Sequence, residues 1–171
     1  SLVIKPGHFI GVCQIKVLSC FGNILSVHQR VFQMFEEIAI KHHNAVLNEI
    51  NKYEESLDSM TPFDMAKMEH YYNKAEREAW KIAGYYKSQY QFYNGRASTD
   101  RGQSYIKLRN DPKIKRNIND ANYGSRIAEG KNLEIAGIYE GYFVTWRGIA
   151  QSYAGMQNTY KDMLKAVKIE T

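Results

Sequence analysis

Two adjacent histidines, His42 and His43, and eight glutamates, Glu36, Glu37, Glu49, Glu54, Glu55, Glu69, Glu76 and Glu78, are among the side chains of this sequence that could bind metal or move protons. A dinuclear metal site in a helical bundle draws on Glu-x-x-His, because that spacing sets a carboxylate and an imidazole on one face of adjacent turns. The pattern does not occur here. His42 lies on the apolar line of its helix and reads as a core or interface histidine, while His43 points to another side. The glutamates read as a solvated charged face. No catalytic, metal-ligating or cofactor-binding residues are assigned.

The string Gly124-Ser125-Arg126-Ile127-Ala128-Glu129-Gly130-Lys131-Asn132 has some of the letters of a phosphate-binding loop. That loop needs four residues between its glycines and a hydroxyl after the Lys to hold magnesium. Five residues and an Asn stand in those places. There is no Gly-x-Ser-x-Gly elbow for a nucleophilic serine. The only cysteines, Cys13 and Cys20, are too few for a disulfide scaffold or a four-cysteine zinc site, and read as two buried free thiols.

Charge is more informative. The formal net charge is +5, with 23 Lys and Arg against 18 Asp and Glu. Residues 1 to 94 and 127 to 171 are each neutral. The whole excess lies in residues 95 to 126, where Arg96, Arg101, Lys107, Arg109, Lys113, Lys115, Arg116 and Arg126 face only Asp100, Asp111 and Asp120. A local positive patch attracts phosphates, acidic protein surfaces or anionic head groups. Arg96, Arg101, Arg109, Lys113, Lys115 and Arg116 are the candidate contacts for an acidic partner or a nucleic acid, with Tyr93, Tyr105 and Tyr123 available to stack on bases.

The elements that must position these residues follow from periodicity. Residues 1 to 22 form an apolar arm of low charge, in which Pro6-Gly7 is turn chemistry and Phe9, Ile10, Val12, Ile15 and Val17 favour an extended or β-like segment. Gln14 and Lys16 break the clean apolar run that a secretory leader or lipid-attachment signal needs. From residue 23 the period becomes helical: Ile24, Val27, Val31, Phe35, Ile38, His42, Val46, Ile50, Tyr53 and Leu57 recur every three or four residues. Thr61-Pro62-Phe63-Asp64 then starts a second helix, with a hydroxyl to cap it, Pro in its first turn and an acid at its positive end. Its stripe runs through Met65, Met68, Tyr72, Ala75, Ala79, Ile82, Tyr86, Tyr90 and Tyr93 to a stop at Asn94-Gly95. A tight turn between long helices makes residues 23 to 94 an antiparallel hairpin. Asn94-Gly95, Arg101-Gly102, Asp111-Pro112 and Tyr123-Gly124 punctuate residues 95 to 126, which therefore read as a basic connector loop.

Residues 127 to 171 regain a helical period through Ile135, Ile138, Tyr142, Trp146, Ile149, Tyr153, Met156, Tyr160, Leu164 and Val167, against a competing strand reading of Ile138 to Trp146. This third helix carries Gly130, Gly137, Gly141, Gly148 and Gly155. Each interior glycine costs a helix about 0.8 to 1.0 kcal/mol relative to Ala. All five fall on one heptad seam, which lets another backbone come close. Glu134, Glu140 and Arg147 argue against a membrane span. The expectation is a mainly α fold in one domain: an antiparallel hairpin, a third long C-terminal helix with an aromatic face on the hairpin and a glycine face toward a neighbour, and a short extended N-terminal segment. With 44% hydrophobic residues, Gly 12 and Pro 3, the chain is neither collagenous nor wholly disordered. The expected function is a non-catalytic structural or adaptor subunit of an assembly, with other protein subunits, including copies of itself, as partners. The alternative is a nucleic-acid-binding protein that uses residues 95 to 126.

Overall fold

The computed structural model describes residues 27–54, 59–111 and 118–169, and these form three α-helices: α1 (Val27–Glu54), α2 (Pro62–Asn110) and α3 (Ile118–Ile169). No strand occurs among the described residues. At 1.5 Å per residue, the 49 residues of α2 and the 52 of α3 span about 74 and 78 Å. Paired residues fix the directions. Tyr72 stacks on Tyr160, Tyr86 packs against Tyr142, and Arg101 pairs with Glu129, so α2 and α3 run antiparallel along their length. Tyr72 donates to Glu54 and Tyr86 to Glu36, which lays α1 antiparallel to α2 and over its N-terminal half only.

The start of α2 follows from its first four residues. The Thr61 hydroxyl oxygen accepts the Asp64 backbone N–H at 3.2 Å, and the Asp64 carboxylate accepts both the Thr61 backbone N–H and its hydroxyl. Pro62 enters at a position whose N–H would have no helical partner. The bonds from Thr61 hold the Asp64 carboxyl below its usual range.

Between α2 and α3 the buried line is made of small residues. Ala75, Ala79, Ala83 and Ala97 on α2 meet Ala121, Ser125, Ala136 and Ala150 on α3. Short side chains let two long backbones lie close, and the aromatic rings pack beside that line. The larger core sits where α1 joins: Val46, Leu47 and Ile50 close on Met68, Tyr72 and Tyr160. Each such apolar side chain removed from water stabilises the fold by roughly 1.5–3 kcal/mol.

The structure corrects three expectations. Residues 95–110 and 118–126 of the expected connector loop are helix: α2 continues through Asn94-Gly95 and Gly102 to Asn110, and α3 begins at Ile118. Gly95 and Gly102 have no neighbour within 4 Å of where a Cβ would stand, so they are solvent-face residues and not stops. The helix continues because Ala97 is buried against α3 and Asp100 accepts from Asn132 across the pair. On α1, His42 is exposed and His43 is the buried histidine, while Phe35 and Ile38 face solvent. The reason is Glu36, which turns inward to accept hydrogen bonds from Tyr85 and Tyr86, a pull that counting apolar residues misses. On α3, Ile135, Ile138 and Met156 are exposed although the apolar stripe included them. The third helix itself is as expected, and its course through Ile138 to Trp146 removes the competing strand reading. The N-terminal segment 1 to 22, with Cys13 and Cys20, lies outside the described residues.

Candidate functional site: the outer face of α3

Gly130, Gly137, Gly141, Gly148 and Gly155 all lie in helix and all are exposed. At 100° per residue they fall within a sector about 40° wide, on the side of α3 directly away from Ala150 and the contact line with α2. A Cβ built on any of the five meets nothing within 4 Å. The fold of the chain thus gives no reason for glycine at these positions. The contrast is Gly124, where a Cβ would stand 2.6 Å from a Leu108 methyl, so that glycine lets the far ends of α2 and α3 come together.

Apolar side chains border the glycine sector on both sides. Val144 (59% exposed), Ile138 (53%) and Ile127 (69%) stand in water, as do Tyr123, Met156 and Met163. Thr145 and Thr159 donate their hydroxyls to the carbonyls of Gly141 and Gly155, which leaves their methyl groups on the same face without an unpaired polar atom. Between Gly137 and Gly155 the face carries no charge. Glu140 and Arg147 sit along one edge of it. An exposed apolar strip of this kind is what a second helix can cover.

Of the six basic candidates, Arg96 and Arg101 lie on different sides of α2 and each has an acidic neighbour. Arg96 lies 3.8 Å from Asp100, and Arg101 pairs with Glu129 at 3.2 Å. Five residues of helix set Arg96 and Arg101 about 140° apart around α2. Arg109 is exposed, and Lys113, Lys115 and Arg116 lie outside the described residues. Beside Arg101, a groove of about 360 Å³ between the ends of α2 and α3 is lined by Ser98, Tyr105, Asn122 and Ser125, and it is open to water. The partners Asp100, Glu129 and Asn132 were not singled out from the sequence, although Asp100 stands four residues after Arg96, a spacing that signals pairing on a helix.

Two groups that the sequence reading set off the apolar line, His43 and Glu78, are buried. His43 is 3% exposed, shares a hydrogen bond with the Tyr153 hydroxyl at 3.1 Å, and meets the Trp146 ring edge-on at 5.0 Å. Burial holds its pKa below the usual value, and Asn44 and the Glu78 carboxylate only partly offset that. Glu78 receives Lys81 at 2.7 Å, and its second oxygen is buried without a hydrogen bond. Burial likewise lifts the phenols of Tyr153 and Tyr139 to about 12, and beside Tyr153 the Glu54 carboxylate adds to the rise. Among the described residues no three His, Cys, Asp or Glu side chains converge as a metal site. None of the described helices is long and apolar enough to cross a membrane.

Comparison of the chain with protein-family models, characterised proteins and solved structures finds no match.

Proposed function

We propose that this protein is a non-catalytic structural or adaptor subunit of a larger protein assembly, such as a filament, secretion apparatus or membrane-associated complex, and that it works by helix–helix packing on the outer face of α3. One observation supports the reading: five glycines are aligned on a helix face that no described residue approaches. Together they cost the isolated helix roughly 4 to 5 kcal/mol relative to alanine. A close-packed neighbour offsets that cost. The flanking Ile127, Ile138 and Val144 supply apolar area that only such a neighbour would remove from water. This reading stands ahead of nucleic-acid binding because Arg96 and Arg101 already have acidic partners and point to different sides.

The test is absolute mass in solution, by size-exclusion chromatography with light scattering, at two protein and two salt concentrations. The parent chain is expected above the 19.8 kDa of one copy. Gly148→Leu is expected to fall to one copy with its helical circular dichroism intact, since a side chain at 148 meets open space and Leu is the better helix former. Equal masses for parent and variant overturn the reading.

A further inference from the structure

Four of the five glycines of α3 map onto one another when the helix is reversed about the midpoint between Tyr142 and Phe143. Gly130 mirrors Gly155, Gly137 mirrors Gly148, and Gly141 mirrors Val144. That midpoint lies within about two residues, or 3 Å, of the middle of Ile118–Ile169. Two copies of α3 laid antiparallel about it would therefore overlap along their whole length.

Symmetry makes the surroundings of the seam testable as well. A two-fold axis perpendicular to both helices keeps each flank of one copy on the same side as the identical flank of the other. On one flank stand Arg126, Glu140, Arg147 and Asp162, all exposed. The operation brings Glu140 of one copy within one turn of Arg147 of the other, and Arg126 within one turn of Asp162. Two complementary pairs result at the centre, Glu140 of each copy with Arg147 of the other; at each end Arg126 approaches an Asp162 that already accepts Lys165 of its own helix at 2.8 Å. On the other flank Ile127 meets Met156, and Ile138 meets Thr145 and Ile149. On this flank Glu134 comes within one turn of Ser152, a donor. A random surface helix has no reason to match its own reverse in glycines, charges and apolar residues at one register.

We infer that the partner of the glycine face is a second copy of this chain, bound antiparallel through α3 about a two-fold axis at Tyr142–Phe143. The inference rests on the proposed function above and names its occupant. Bare glycines at the crossing let the two backbones approach closely. The steps of three and four residues along the seam favour a shallow crossing of about 20°.

Cysteine cross-linking reads the register in the full chain, with Cys13 and Cys20 replaced by Ser and the mass first shown to match the parent's. The substitutions fall on glycines surrounded by open space, so the fold tolerates them. Gly141→Cys lies beside the axis and is expected to form a disulfide with its own copy. Gly130→Cys and Gly155→Cys are each expected to stay unlinked alone, because the axis sets like positions about 38 Å apart, and to form a mixed disulfide when combined. An independent readout is charge reversal: Glu140→Arg or Arg147→Glu alone weakens dimerisation about tenfold, and the double variant restores it.

Disulfides between like positions at 130 or 155, or double reversal without recovery, overturn the antiparallel pair. In that case a loss of assembly in Gly148→Leu still upholds packing through the glycine face. A single-copy mass at every concentration overturns the second copy as partner. Assembly that ignores Gly148→Leu overturns the underlying reading itself, whatever the cross-links show.

Discussion

His43 shows how a single buried group sets the conditions under which three helices hold together. It belongs to α1, Tyr153 and Trp146 reach it from α3, and Glu78 acts on it from α2, so its ring lies where all three elements meet. Its pKa in the folded chain is lowered below 6.5, chiefly by burial. Above pH 6.5 the ring is neutral whether the chain is folded or not, and stability is complete. As pH falls below 6.5 the unfolded chain takes up a proton that the folded chain resists, so stability drops until the lowered folded value is passed. Thermal stability of the parent should therefore weaken as pH falls below 6.5. His43→Phe should show a flatter profile from a lower starting point, since Tyr153 loses its partner. Equal slopes in parent and variant would exclude His43 as the source. The sequence offered both histidines and the period selected His42; the choice reversed because a hydrogen bond and a ring contact 110 and 103 positions away hold His43 inside.

At the scale of elements, local signals were legible and long-range ones were not. Thr61, Pro62 and Asp64 announced the start of α2, because capping bonds form among near neighbours and the chemistry is written in consecutive residues. Thr61→Ala should lower stability by about 0.5–2 kcal/mol, read as a fall of roughly 1–8 °C in Tm by circular dichroism. An unchanged Tm would mean that Pro62 and the packing of Met65 and Met68 hold the helix start without the cap. The end of α2 was misread for the converse reason. Asn94-Gly95 and Gly102 resemble stops, but Asp100, Asn132, Arg101 and Glu129 tie this stretch to a helix that follows later in the chain. The third helix and the alignment of its glycines were visible as a repeat. Its contact line was not, because Ala121, Ala136 and Ala150 carry little hydrophobic weight beside Ile135, Ile138 and Met156, and yet are the residues narrow enough to sit between the backbones.

For the molecule as a whole, α1 covers only one half of a long pair. Near Tyr72, Ile82 and Tyr86 three helices share an apolar core. Beyond Ala97 the pair is held by the Asp100 to Asn132 hydrogen bond, the Arg101 to Glu129 ion pair and the approach of Gly124 to Leu108. Exposed ion pairs add about 0 to 1 kcal/mol each, much less than a buried apolar core. Native-state hydrogen exchange should consequently show α2 amides after Ala97 opening at lower free energy than those from Tyr72 to Tyr86. Uniform protection along α2 would mean that the alanine line alone makes the pair cooperative. The two halves also differ electrically. The whole surplus of +5 belongs to residues 95 to 126, at the end that α1 does not reach. Electrostatic reach in physiological salt is about 8 Å, a small fraction of a rod some 74 Å long. Near an anionic surface only one tip is drawn in while the remainder is indifferent. The molecule therefore feels a torque as well as an attraction, and it arrives end-on, with the three-helix half held away from the surface.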